Sequence, residues 1–225
     1  NNFEVIILDN HPTESVKTLL SEYTDKLKIR YQYRPSSLFN VAQARNQGAE
    51  LSRGSVLVFL DADIWVPKTF LTTHLELQKI KTGHLFSNYI YQQKPQTPLA
   101  KTDEWMVDLR AQDVPFQSPQ APVFPPVTAQ YFRAAAFSMR RSDLKRSTGF
   151  DPDFSGWGYE DLDFALRQIR AGFKLCLLDE RCLHLYHEPA ATDQETEREN
   201  NWLKLTRRHG LQDYVKMWRL PPRCT

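Results

Sequence analysis

Short apolar runs alternate along the chain with stretches of helical spacing, and this pattern predicts the order of its elements. Apolar, β-branched runs predict strands, and apolar residues that recur every three to four positions predict helices. The predicted strands cover residues 3–8, 28–34, 56–60, 85–91, 132–141, 173–178 and 181–187. The predicted helices cover residues 13–23, 41–54, 68–81, 102–110, 160–171 and 192–209. Strands that alternate with helices are typical of an α/β protein with a mostly parallel, mixed sheet flanked by helices.

The regular pattern stops between residues 92 and 131, where prolines concentrate. QQKPQTPLAK and VPFQSPQAPVFPPV hold most of the internal prolines, so we expect a long irregular segment around one short helix. Loops of this length inside compact domains are usually lids or binding loops. The pattern therefore divides one domain into a first half over 1–91, a loop or lid over 92–131 and a second half over 132–225.

Carboxylates follow two of the predicted strands at the point where each strand ends. Asp9 follows the first strand, and Asp61 and Asp63 follow VLVFL in the segment LDADIWVP. Ligands of open α/β sheets bind beyond the carboxyl ends of the strands. Two carboxylates in a D-x-D arrangement can bind a hard divalent cation while diphosphate oxygens complete its coordination. Ordinary strand-end turns also favour Asp, so the spacing alone leaves both interpretations open.

A second acidic group lies in DFSGWGYEDLDFALR, at residues 153–167. Glu160, Asp161 and Asp163 crowd the start of a predicted helix, where carboxylates are favoured by the helix dipole. A Trp between two glycines is not needed for capping, so Trp157 is either a core aromatic that closes the helix start or an aromatic platform beside the carboxylates. We take Asp163 as an ordinary first-turn residue, and we expect the other two carboxylates to do more than cap the helix.

The composition narrows the classes of function. A net charge of +2 favours neither nucleic acid nor an anionic membrane as a partner. No apolar run approaches the ~20 residues of a membrane-spanning helix. The three cysteines form no CxxC pair, so we take them as reduced, with a Cys176–Cys182 bridge as the alternative. The expected location is the cytoplasm, with peripheral association at the inner membrane face left open.

The motifs resemble a known enzyme family in their order and spacing. FEVIILDN followed by ARNQGAELSRGSVLVFLDADIWVP resembles the nucleotide-binding half of a family 2 glycosyltransferase with the GT-A fold. GFDPDFSGWGYEDLDFALRQIRAGFKL followed by HLYHEP resembles the C-terminal part shared by three enzyme groups. These groups are the chondroitin-polymerase-type enzymes, the β-1,4-galactosyltransferases and the polypeptide N-acetylgalactosaminyltransferases. The resemblance implies that 1–91 binds a nucleotide sugar, and that 132–225 binds the acceptor and carries the catalytic residues.

The resemblance implies donor-binding roles in the first half of the chain. Asp9 would meet the base of a uridine or similar nucleotide, and Arg45 would lie near it. Asp61 would bind the ribose or the metal, and Asp63 would be a direct metal ligand for Mn2+ or Mg2+. Taken from the residues alone, a solvated helix face explains Arg45 and Asn46 equally well.

In related enzymes a histidine on a later strand completes the metal site. His184 and His187 in HLYH compete for this position, and the spacing from the acidic motif favours His184. Positions three apart on a regular strand face opposite sides of the sheet. We therefore expect only one of the two histidines to reach the metal.

The resemblance implies catalytic and acceptor-binding roles for the acidic motif. Asp161 would be the general base, with Glu160 beside it, and Trp157, Gly158 and Glu160 would contact the acceptor sugar. The direction of the Asp161 carboxylate provides a test. A carboxylate directed across the cleft toward Asp63 indicates a base, and one folded back onto its own helix amides indicates a cap.

The sequence thus predicts a metal-dependent, inverting glycosyltransferase of polysaccharide biosynthesis. It would move a sugar from a nucleotide donor, a UDP-sugar by preference, to a saccharide or another hydroxyl acceptor. The alternatives are a sugar nucleotidyltransferase and a non-catalytic carbohydrate-binding or scaffold module. Enzymes of this type begin with one more strand and helix before FEVIILDN, so we expect this chain to be part of a larger polypeptide.

Overall fold

The computed structural model describes residues 2–10, 14–33, 40–93, 106–107, 129–188 and 194–210. The elements in chain order are β1 (Val5–Asp9), α1 (Glu14–Ser21), β2 (Ile29–Tyr33), α2 (Val41–Leu51), β3 (Val56–Leu60), β4 (Ile64–Trp65), α3 (Phe70–Ile80), β5 (His84–Gln92), β6 (Met106–Val107), β7 (Ala136–Arg140), α4 (Arg141–Arg146), α5 (Glu160–Arg170), β8 (Lys174–His184) and α6 (Gln194–His209). A 3-10 helix at Ala129–Tyr131 precedes β7.

The described strands form two sheets. β1 and β2 pair in parallel, and the other six strands form a sheet in the order β3-β7-β5-β8-β4, with β6 paired to β5. β5 and β8 run parallel over most of their length, and the remaining neighbours in this sheet are antiparallel. Helices flank this mixed sheet, so the predicted α/β class is confirmed.

Aromatic side chains fill the core between the larger sheet and α5. Phe59 stacks on Phe137 with a centroid distance of 4.5 Å, and Phe150 stacks on Phe164 at 4.1 Å. Phe137 and Phe164 are fully buried, and burying a Phe side chain stabilises a fold by about 1.5–3 kcal/mol. This packing holds the start of α5 close to the edge of the sheet where β3 ends.

The last predicted strands are a single strand in the structure. The segments 173–178 and 181–187 were predicted as two strands, yet β8 runs without a break from Lys174 to His184. The polar residues between them remain in the strand because its pairing with β5 shifts register between Asn88 and Ile90. A bulge of this kind accommodates extra residues without ending the ladder.

Two further predictions about local structure are wrong. The segment 132–141 was predicted as strand throughout, but only Ala136–Arg140 is strand, and Arg141 begins the short helix α4. Met106–Val107 pairs with β5 as a strand, where a helix was predicted over 102–110. The rest of that helix, and most of the predicted lid over 92–131, lie outside the described residues.

The cysteines in the described part of the chain are thiols. Cys176 and Cys182 are both free and buried in β8, so the alternative of a bridge between them is wrong. Burial raises the pKa of the Cys182 thiol to about 12, which disfavours the reactive thiolate. No helix in the described ranges has both the length and the apolar character needed to cross a membrane.

Candidate active site

The D-x-D motif lies in the turn between β3 and β4. The Ile64 amide donates to the Asp61 carbonyl at 3.2 Å and closes the turn. Because Ile64 lies opposite His184 in the β4–β8 ladder, the turn delivers Asp63 to the end of β8. A hydrogen bond of 2.8 Å from the Leu185 amide to the Asp63 carbonyl extends this contact beyond the ladder.

Asp63 forms a compact group with both histidines of HLYH. Its Oδ2 atom lies 3.2 Å from Nε2 of His184 and 3.2 Å from Nε2 of His187. The three possible ligand atoms all lie within 4.8 Å of one another. The expectation that only one histidine reaches this point is wrong. Strand geometry ends at His184, so the rule of alternating faces does not apply to His187.

The chemistry of this group fits a divalent transition metal. Nδ1 of His187 lies 3.0 Å from the Glu188 carbonyl, which can only accept, so Nδ1 carries a hydrogen and Nε2 is the ring nitrogen left to bind a metal. Oδ1 of Asp63 is buried and has no hydrogen-bond partner in the described part of the chain. Imidazole nitrogen is a transition-metal ligand, whereas Mg2+ prefers oxygen. The donor set of two imidazoles and one carboxylate therefore fits a divalent transition metal better than Mg2+.

Arg45 joins the D-x-D motif to the acidic motif. Its Nη2 donates to both carboxylate oxygens of Asp61, at 2.9 and 3.2 Å, and its Nη1 donates to Oε1 of Glu160 at 2.9 Å. The Arg45 side chain is only 9% exposed, and its guanidinium lies over the Phe150 ring. Burial opposes its charge, but the two carboxylates outweigh this and raise the pKa of Arg45. The alternative of a solvated helix face is therefore wrong.

Asn46 fixes the loop on which Arg45 rests. Its Nδ2 donates to the Phe150 carbonyl at 2.7 Å, and its Oδ1 accepts from the Phe150 amide at 2.8 Å. A Cβ atom at Gly149 would lie 2.4 Å from that Oδ1, so glycine leaves the room that the amide needs. Asn46, which was predicted on a solvated helix face, thus hydrogen-bonds in both directions with the backbone of the loop before the acidic motif.

The two carboxylates at the start of α5 have different surroundings. The Glu160 side chain is 12% exposed and is held by Arg45. Burial and the neighbouring Asp161 raise the pKa of Glu160, although Arg45 opposes the shift. Asp161 is also partly buried, and its Oδ1 accepts from the Leu162 amide at 2.7 Å. By the directional test, this oxygen belongs to the helix, and the general-base role of Asp161 stays a prediction.

The loop before α5 has an unusual backbone. Gly156, Gly158 and Tyr159 have positive φ values of 75°, 92° and 70°, a region that glycine enters at little cost and a bulky residue rarely adopts. Between the two glycines, the Trp157 side chain is 43% exposed. The loop thus presents a large aromatic face one turn away from Glu160 and Asp161.

Asp163 differs from its prediction as an ordinary first-turn residue. It is fully buried and accepts from Nε2 of His209 at 2.9 Å and from Nε of Arg167 at 2.8 Å. It therefore joins α5 to the end of α6. The spacing of Asp163 and Arg167 was visible in the sequence as an i,i+4 pair, whereas no local signal pointed to His209.

Asp9 lies at the carboxyl end of β1, as predicted, but in the smaller sheet. Its Oδ2 accepts from the Tyr31 hydroxyl on β2 at 2.9 Å.

The structure brings Arg45, Asp61 and Glu160 into direct contact, and Asp63 joins the two histidines. The three residues Asp63, His184 and His187 are called the metal group below. Asp61 is not one of them, and its carboxylate is engaged by Arg45 instead.

Comparisons with known proteins identify a family and several relatives that this chain resembles. The family model described as "Glycosyltransferase like family 2" matches residues 1–178. Validoxylamine A glucosyltransferase of Streptomyces hygroscopicus subsp. jinggangensis (strain 5008) is 25% identical over an alignment of 184 positions, and the match covers 74% of this chain and 44% of that protein. Hyaluronan synthase of Pasteurella multocida is 25% identical over an alignment of 221 positions, and the match covers 88% of this chain and 22% of that protein. The chain thus spans less than half of either relative.

Solved structures show the same fold. A crystal structure of GalNAc-T7 with UDP, GalNAc and Mn2+ superimposes with a TM-score of 0.65 at 15% identity, covering 97% of this chain and 45% of that one. Residues 1–349 of S. aureus TarS in complex with UDP-GlcNAc give a TM-score of 0.61 at 15% identity, covering 91% and 58%. These likenesses confirm the predicted GT-A fold.

Proposed function

Because the chain belongs to glycosyltransferase family 2, we propose that it transfers a sugar from a nucleotide donor to a hydroxyl acceptor, with inversion at the anomeric carbon. The arrangement of charges at one edge of the sheet carries this proposal. A possible metal group lies at the end of β8, and Arg45 links the neighbouring D-x-D residue Asp61 to the acidic motif.

We propose a UDP-sugar as the donor and a saccharide as the acceptor. The solved neighbours contain UDP or UDP-GlcNAc, and relatives include hyaluronan and chondroitin synthases, which favours polysaccharide biosynthesis. Asp9 and Arg45 would hold the nucleoside, and the edge position of Asp9 supports this. Asp61 would meet the ribose, since Arg45 already holds its carboxylate. Residues 1–91 would form the donor half and 132–225 the acceptor and catalytic half.

Asp63, His184 and His187 would hold the metal, with Mn2+ preferred. The bound ion would neutralise negative charge on the diphosphate leaving group. The buried, unpartnered Oδ1 of Asp63 supports this assignment. The His184 hydrogen bond also lowers the pKa of Asp63, which keeps the carboxylate ionised.

Asp161 would remove the proton from the acceptor hydroxyl. A base of this kind needs a carboxylate that can approach the acceptor. Glu160 is nearly buried and is already held by Arg45, which favours Asp161 as the base. Trp157 and Gly158 would bind the acceptor, with the exposed indole stacked on a sugar ring and the glycine allowing close approach of the backbone.

One observation favours a second candidate, a non-catalytic carbohydrate-binding module. The Asp161–Leu162 hydrogen bond is what a carboxylate that only caps its helix would show. Such a module would still use Trp157 to bind sugars, and it would need no base.

An Asp161→Asn variant separates the two candidates. Purified protein with Mn2+ would be tested for transfer and hydrolysis against a panel of UDP-sugars and saccharide acceptors. A transferase is expected to lose turnover by at least about a thousandfold in the variant, with UDP affinity unchanged. Asp25→Asn, in an exposed turn, is the matched control. A wild type that binds saccharides and neither transfers nor hydrolyses any donor would establish the binding module instead.

A further inference from the structure

We propose that α6 is a clamp that holds the Trp157 loop and the start of α5, and that Asn201 and Glu197 are positioning residues for acceptor use. The inference rests on the proposed transferase function. Sequence patterns gave α6 no role beyond that of a polar helix. In the structure, its side chains form the contacts that fix the backbone around the acidic motif.

The side-chain amide of Asn201 hydrogen-bonds to backbone carbonyl groups of the Trp157 loop. The residue is buried, with 1% of its surface exposed, and its Nδ2 lies 3.0, 3.3 and 3.0 Å from the carbonyl oxygens of Ser155, Trp157 and Gly158. The amide has two hydrogens, so two of these carbonyls share one of them. A loop with left-handed residues cannot satisfy its carbonyls through a regular ladder, and buried carbonyls without partners are costly. One side-chain amide supplies these partners.

Glu197 holds the same loop from its amide side. Its Oε2 accepts from the Trp157 amide at 3.0 Å. A Cβ atom at Gly156 would lie 2.6 Å from Cδ of Glu197. Glycine at this position therefore provides the room in which the carboxylate reaches the Trp157 amide, as well as the positive φ.

Two further contacts extend the clamp on either side. Nζ of Lys204 donates to the Asp153 carbonyl at 2.6 Å and to Oδ1 of Asn201 at 3.4 Å. The Trp202 ring packs against Tyr159 with a centroid distance of 5.2 Å. Tyr159 is the non-glycine residue with positive φ, so this packing supports the most strained position of the loop.

The far end of α6 is anchored to α5. Beside the buried His209–Asp163 contact, Nη1 of Arg170 lies 2.7 Å from Nδ1 of His209, and its Nη2 donates to the His209 carbonyl. The two helices and the loop therefore form a closed frame. Trp157 and the carboxylates at the start of α5 lie on this frame, whereas the metal group lies in the turn before β4 and at the end of β8 and just beyond it. Loss of the clamp is thus expected to impair acceptor use and to spare donor binding.

Two nearly isosteric substitutions, Asn201→Asp and Glu197→Gln, test this assignment when each is compared with the alanine variant at the same position. At position 201 a hydrogen-bond donor is required, so Asn201→Asp is expected to fail like Asn201→Ala. At position 197 an acceptor is required, so Glu197→Gln is expected to keep wild-type behaviour while Glu197→Ala fails. For the failing variants we expect the acceptor KM to rise about tenfold, the usual scale for one lost hydrogen bond to a charged or buried group. UDP affinity in the presence of Mn2+ is expected to change less than about twofold.

Amide hydrogen exchange provides a readout that does not depend on activity. The Trp157 amide is expected to exchange faster in Glu197→Ala than in wild type, and at the wild-type rate in Glu197→Gln. Equal exchange in all three proteins overturns the clamp, whatever the kinetics. If the position 201 variants do not fold, the position 197 pair decides alone. If the wild-type protein shows no transfer, the proposed function is wrong. If the wild-type protein transfers sugar and Glu197→Ala leaves the acceptor KM unchanged, the proposed role of α6 is wrong.

Discussion

The metal group lies in one site with the Trp157 loop and the start of α5, but the two regions are held in different ways. Asp63 and His184 are placed by backbone pairing between β4 and β8, which requires only that two strands meet in register. Trp157 and the start of α5 are placed by side chains of α6, which lie about forty residues away in the chain. The first region is therefore specified by the sheet, and the second by a few polar side chains.

The two regions are joined by one cation. Arg45 contacts Asp61 on the sheet side and Glu160 on the helix side. A nearly buried guanidinium between two carboxylates is well suited to this position, because its planar donors can serve both at once. Changes in each region, and in the bridge, should therefore give separable effects.

Among changes on the sheet side and in the bridge, Asp63→Asn is expected to have the largest effect. The change removes the charged ligand of the metal group and leaves two neutral imidazoles. We expect turnover to fall by about a thousandfold, equivalent to about 4 kcal/mol in the transition state, together with weaker Mn2+ binding. Titration of Mn2+ monitored by calorimetry or paramagnetic resonance provides the check. If Asp63→Asn binds Mn2+ like wild type, the metal group has been misassigned.

The sheet side also carries a buried histidine whose protonation should destabilise the fold. His74 on α3 is fully buried, with its ring nitrogens 2.8 Å from Oγ of Ser138 and 2.7 Å from Oδ1 of Asn88. Burial lowers the pKa of His74 to about 4, although the Asn88 hydrogen bond opposes the shift. Below about pH 6.5 the unfolded chain takes up the proton first, so stability falls as the pH drops from about 6.5 toward 4.

The expected loss over this pH range is about 3 kcal/mol of unfolding free energy. Urea unfolding at a series of pH values measures it, with His74→Gln expected to reduce the slope. His84→Gln is the matched control, because His84 is only partly buried. A wild-type slope in His74→Gln would assign the acid sensitivity to other groups.

Arg45→Lys tests the bridge between the regions. A single ammonium cannot reproduce the fork that reaches Asp61 and Glu160 together, so one carboxylate loses its partner. We expect turnover to fall about thirtyfold, or about 2 kcal/mol, with both UDP affinity and acceptor KM affected. Arg53→Lys, at an exposed position just beyond α2, controls for the change of side chain. An effect confined to one substrate would show that Arg45 serves one region only.

The difference between the regions also explains what could be predicted from the sequence. β3 was predicted with its observed bounds from its apolar run. Asp63, His184 and His187, which the structure brings together, were singled out through LDADIWVP and through the resemblance of HLYH to related enzymes. Asn201, Glu197 and His209 were not found, since their roles arise from contacts between distant segments. Asp163 was misread for the same reason. Its position in the first turn suggested a cap, whereas its partner lies at the far end of another helix.

Two tryptophans of equal exposure provide the smallest and most direct comparison. Trp157 is 43% exposed on the loop before α5, and Trp65 is 42% exposed on β4, two residues after Asp63. If the acceptor stacks on the loop, Trp157→Ala should raise the acceptor KM about tenfold, since stacking on an aromatic ring contributes on the order of 1 kcal/mol. Trp65→Ala should change it less than about twofold. Equal effects of the two substitutions would mean that the acceptor spans both regions, and that the clamped loop does not bind it alone.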